Sequence, residues 1–145
     1  MKTLPLLFLC LSPLAACGGS DTKSGAPQQP APSAPMDHGH GEEKPLGSLT
    51  IGAHTFQLLQ LGDVAAGKEA VFELALAKDK PVPALVRGWV GVESGEGSMK
   101  ARFGKEGDHG LHAHLEVPKA LPAGSKLWIE IEENGKTERG SSAWK

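Results

Sequence analysis

The chain contains no tyrosine, and aromatic residues make up only 5% of it. Leu, Val, Ile and Ala must therefore supply most of any core. An excess of one charge is also missing. The formal net charge is -2, with acids and bases interspersed, so the basic patch of a nucleic-acid surface is absent. There is no internal repeat, no glycine-rich nucleotide loop and no convincing helical period. The serines sit in turns without a matching base and acid, and the acids are spread over polar faces rather than paired. These absences argue against an enzyme. Cysteine occurs twice, at Cys10 and Cys17.

Both cysteines belong to the first segment. Met1-Lys2-Thr3 precedes a largely apolar stretch from Leu4 to Ala16, ending in small residues. A positive start, a short apolar centre and a small-residue stop make a secretory signal, too short for a comfortable membrane span. Leu14-Ala15-Ala16-Cys17-Gly18 resembles the lipobox of bacterial lipoproteins. The resemblance implies cleavage before Cys17, a diacylglycerol on its sulfur, acylation of the new amino terminus, and anchoring in a membrane. Gly rather than Asp at position 18 implies the outer membrane, facing the periplasm, over the inner. Residues 17–145 would then carry no free thiol, so neither a disulfide nor a Cys metal ligand is expected, although the compartment permits disulfides.

Residues 17–47 read as the lipidated Cys17 and a disordered tether. Pro27, Pro30, Pro32, Pro35 and Pro45 stand among Gly, Ser, Gln and Ala with little to bury, which cannot offset the entropy of ordering. At roughly 3 Å per residue, such a tether extends to about 90 Å. Within it lies Met36-Asp37-His38-Gly39-His40-Gly41-Glu42-Glu43. Met36, His38 and His40 are either a metal-capturing arm for copper or zinc or part of a solvated linker.

From residue 48 to 145 short apolar runs alternate with turn residues. Strands are predicted over 49–51, 55–61, 70–77, 84–93, 98–103, 111–117, 126–132 and 136–143. Asn134-Gly135 marks a tight hairpin. Seven or eight short strands with turns every 8 to 12 residues predict an all-β antiparallel sandwich. Trp89 and Trp128 fall on faces predicted to point outward. An exposed aromatic pair there would suit an envelope interaction or assembly module without a metal, the alternative function.

The richest stretch is Asp108 to Val117. Strand alternation places Leu111, Ala113, Leu115 and Val117 on one face and His112, His114 and Glu116 on the other. If 111–117 pairs with 126–132, Leu115 opposes Ile129, His114 faces Glu130 and His112 faces Glu132. The expected donors are His112 and His114 with Glu116, Glu130 or His109, a set that suits Zn(II) or Cu(II). His54 joins only if its strand lies alongside. A solvated face with ion-paired histidines is the competing reading.

The alternating His strand, the Pro118-to-Pro122 connection and Leu127-Trp128-Ile129-Glu130-Ile131 are similar to the C-terminal half of YtkA-like and CopC-like periplasmic domains. The resemblance covers about a quarter of the chain. It implies an immunoglobulin-like sandwich, some of whose members handle copper; taken with the donor set, the expected function is binding or buffering copper or zinc and passing it to an efflux or other envelope protein.

Overall fold

Alternating apolar and polar residues, punctuated by Gly, Pro and Asn, build nine strands and no helix among the residues described, 41–145 of a computed structural model. The signal segment, Cys17 and the arm residues Met36, His38 and His40 lie outside the described residues. The strands are β1 (Glu43–Ile51), β2 (His54–Leu61), β3 (Glu69–Leu76), β4 (Leu85–Gly91), β5 (Ala101–Arg102), β6 (Gly104–Glu106), β7 (Gly110–Glu116), β8 (Lys126–Glu133) and β9 (Lys136–Ser142).

They form two antiparallel sheets. The first has the order β1-β2-β3-β7-β6 and the second β5-β4-β8-β9. Inward residues of both sheets meet in one core that includes Phe56, Phe72, Leu74, Leu115, Leu127 and Ile129. Each of these is essentially removed from water, which is the main favourable term in folding. The all-β sandwich expected from strand spacing is therefore present, with nine strands rather than seven or eight.

The two sheets come together at both flanks. On one, a Cβ at Gly140 would stand 2.8 Å from Ile51 Cγ1 and 3.1 Å from Leu49 Cδ1, so β9 and β1 approach closely only because residue 140 lacks a side chain. On the other, the chain leaves β5 in the second sheet and enters β6 in the first across buried Phe103. The outermost strands are β1 and β6 in one sheet, β5 and β9 in the other. β1 is broken by an irregularity between Pro45 and Gly47.

Four local expectations change. Residues 43–47, expected in the tether, start the first strand, because Leu46 packs against the core and β1 pairs with β2 from Glu43 onward. The strand expected over 98–103 shrinks to Ala101–Arg102, and Met99 is exposed. The polar loop expected at 104–107 contains β6. Finally, residues 111–117 and 126–132 do not pair: β7 lies between β3 and β6, and β8 between β4 and β9.

The tryptophans do lie on the outer face of the second sheet, directly opposite each other on β4 and β8. They are not an exposed patch, because the cluster covers itself. Trp89 is 0% exposed and stacks on Trp128 with ring centroids 6.2 Å apart. Lys100 Nζ sits 4.4 Å from the Trp89 ring. Each indole N–H donates to a backbone carbonyl, Trp89 to Val92 at 2.7 Å and Trp128 to Gly91 at 3.1 Å.

Candidate metal centre

Sheet order decides what surrounds the histidines. In the β3–β7 ladder Glu73 lies opposite His112, and Val71 opposite His114. In the β6–β7 ladder Gly104 lies opposite His112, which brings Glu106 onto the same outer face. His112, Glu73 and Glu106 thus converge from three strands. Their donor atoms all lie within 4.8 Å of one another. His112 Nδ1 is 3.6 Å from Glu73 Oε1 and 3.5 Å from Glu106 Oε2.

Those separations suit a shared cation. Zinc–ligand bonds of about 2.0–2.1 Å in tetrahedral geometry hold neighbouring donors roughly 3.4 Å apart. One imidazole and two carboxylates also balance a divalent charge. Burial is graded: the His112 side chain is 19% exposed, Glu73 34% and Glu106 45%. His112 is thus the most sheltered of the three and Glu106 the most exposed. Beside it runs a groove of about 290 Å³ floored by Pro45, Leu59 and Ala75, with Glu73 and Glu106 in its wall.

His114 takes a different partner, since its Nδ1 lies 2.7 Å from Glu69 Oε1. The His112 and His114 rings nevertheless meet edge to face, with centroids 4.9 Å apart. Glu116 lies opposite Glu69 at the end of the ladder and is exposed. His109 sits in the turn before β7. Its carbonyl accepts from the Leu76 N–H at 2.9 Å, and its buried Nδ1 has no hydrogen-bond partner. His54 lies on the core side of β2, 8% exposed, with Nε2 3.2 Å from Glu133 Oε2. Among the described residues, the group of converging donors contains none of Glu116, His109 and His54.

Glu130 is a correction. It lies on β8 in the other sheet, with the core between it and the histidines. It is a buried counter-charge there. Its carboxylate accepts from Lys100 at 2.9 Å and Arg139 at 2.8 Å, and from Arg87 at 3.3 Å. Burial alone would push its pKa up, but the hydrogen bonds and positive charge of Lys100 and Arg139 outweigh this and hold it at about 2. Such a carboxylate is committed to its three cations and unavailable to a metal on the opposite face.

Glu73, Glu106 and Glu69 were not among the sequence candidates. A signal existed for Glu73, the one polar residue within the apolar run from Ala70 to Leu76 of β3. What was missing was the sheet neighbour. No protein-family model, curated protein or solved structure matches this chain.

Proposed function

We propose that this protein reversibly binds a transition metal, Zn(II) or Cu(II), on the outer face of the β3–β7–β6 sheet, as a metal carrier or buffer of the bacterial envelope. The observation behind this reading is the convergence of His112, Glu73 and Glu106 from three separate strands at ligand-like separations. An imidazole with two carboxylates is a borderline-to-hard donor set, which favours Zn(II) and Cu(II) over Cu(I). Three protein donors leave one position open for exchange.

The sheet order supports the immunoglobulin-like reading. Omitting β1, the order β2-β3-β7-β6 against β5-β4-β8-β9 corresponds to strands A-B-E-D against C-F-G with one extra edge strand. Attachment through Cys17 to the outer membrane is part of the same proposal and rests on the lipobox resemblance.

The test is a calorimetric titration with Zn(II) and Cu(II) of the chain carrying His38→Ala and His40→Ala, which isolates the folded face. One ion should bind with a dissociation constant near or below about 1 μM. Adding His112→Ala or Glu73→Gln should weaken binding at least about tenfold. Affinity indifferent to both changes would rule out this site.

A further inference from the structure

The groove beside the metal centre exists because some side chains on the outer face of the first sheet are short. Two neighbouring rows cross that face. In one, Pro45 opposes Leu59 and Leu59 opposes Glu73. In the next, Gln57 opposes Ala75, Ala75 opposes Gly110 and Gly110 opposes Glu106. Ala75 and Gly110 have almost no side chain, so the second row dips at its centre. The dip is the groove of about 290 Å³, near the lower bound of about 300 Å³ for small-molecule sites. Backbone packing keeps it open at one end, since a Cβ at Gly110 would collide with the Glu106 carbonyl oxygen. Its apolar surface is left uncovered: Leu59 is half-buried, and Pro45 and Ala75 are exposed.

Charge decides what fits there. Glu73 and Glu106 stand in the wall, and among the described residues no Lys or Arg lines the groove. Glu69 and Glu116 lie on the same face and add to its negative potential. A carboxylate oxygen of Glu73 and one of Glu106 lie within 4.8 Å of each other. A single ammonium between them reaches both, at charge-assisted N–H···O distances of about 2.8 Å. We propose that the groove binds a small organic primary amine, its ammonium shared by Glu73 and Glu106 and its apolar body laid along Leu59 toward Pro45. A primary ammonium has three N–H donors to divide between two carboxylates; a quaternary ammonium has none.

The dimensions set the size of the body. Two interstrand steps of about 4.8 Å separate Glu73 from Pro45, about 10 Å, which accommodates an alkyl chain of about six to eight carbons. Each fully buried methylene tightens binding about fourfold, and about twofold when half covered. Carboxylates this exposed hold a bare ammonium weakly, because water competes for both partners. The apolar floor therefore supplies the selectivity, and the acids fix which end of the ligand lies where. The inference goes beyond metal binding and does not depend on it. Because the same two carboxylates serve both cations, the amine and a metal ion exclude each other.

The experiment follows backbone amide signals of the full chain in detergent by NMR as hexylammonium is added, with methylammonium and hexanol as controls under the same conditions. The Ala75 and Gly110 signals should move. Hexylammonium should bind at least about tenfold tighter than either control. Glu73→Gln/Glu106→Gln should weaken it at least about tenfold. Ala75→Phe fills the dip from an exposed strand position and should reduce hexylammonium to the methylammonium level. Equal affinity for hexylammonium and methylammonium, indifference to either variant, or shifts confined to residues away from Ala75 and Gly110 would overturn the proposal. Zinc added without amine forms a separate arm. A chain that binds hexylammonium but no zinc keeps the groove site and ends the metal reading; one that binds zinc but not hexylammonium does the reverse.

Discussion

Replacing Glu130 by Gln should cost about 3 kcal/mol of stability, and the effect should vanish in acid. Glu130 is 4% exposed and shared among Lys100, Arg139 and Arg87. Its pKa falls from an ordinary 4.5 to about 2. At about 1.4 kcal/mol per pH unit, that gap amounts to about 3 kcal/mol. The sign follows from linkage: a carboxyl group that is more acidic in the folded state contributes its full stabilisation above pH 4.5 and loses it as pH falls to about 2. Gln keeps the shape but not the charge. Removing one partner of a buried ion pair typically costs about 3–5 kcal/mol. Lys100 and Arg139, 32% and 41% exposed, regain water, which places this case at the lower end. The assay is urea unfolding of wild type and E130Q between pH 2 and 7, followed by fluorescence of the Trp89–Trp128 pair. The difference between the two proteins should be flat from pH 5 to 7 and shrink steadily below pH 4.5. A cost under about 1 kcal/mol at neutral pH, or a pH-independent difference, would refute the argument.

Gly88→Val should destabilise the sandwich by about 1–3 kcal/mol through overpacking, since even a Cβ there would meet Phe103 Cε2 at 2.6 Å; denaturant midpoints measure it. Gln60→Ala should cost about 2–3 kcal/mol at about 1 kcal/mol per net bond. The buried Gln60 amide donates to the Gly62 and Lys145 carbonyls and accepts from the Lys145 N–H, and hydrogen exchange at Lys145 should accelerate in the variant. Zinc at 100 times its dissociation constant should stabilise wild type by about 2.7 kcal/mol, and at the same zinc concentration His112→Ala should cut that gain to about 1.4 kcal/mol or less in thermal unfolding. Trp89→Phe should lower stability by about 1–2 kcal/mol through loss of the bond to the Val92 carbonyl, with a blue-edge change in fluorescence reporting the cluster.

Local alternation was legible in the sequence because it depends only on the pleat. Leu127, Ile129 and Ile131 inward and His112 and His114 outward follow from period two, and both hold. The hairpin at Asn134-Gly135 holds for the same local reason, with φ of 52° and 74°. Sheet neighbours were not legible, because pairing between distant strands leaves no mark on either strand alone. Chain order alone matches the histidine strand to β8, the next in sequence, whereas β7 crosses to lie beside β3. That single step replaced Glu130 with Glu73 and Glu106 in the site. Trp89 failed differently: its face was right, but period two says nothing about the Lys100 side chain and the neighbouring indole that cover it.

The outermost strands carry a consequence for how the protein behaves in company. A two-residue β5 and a three-residue β6 offer hardly any unpaired ladder. β9 presents Lys136, Glu138 and Arg139 along its length, and β1 is interrupted where Pro45 has no N–H to give. Every margin of the sandwich is thus too short, too charged or too irregular to template a neighbour's strand. Copies held close together can crowd without zipping into a continuous sheet, and each keeps its own histidine face open to solvent.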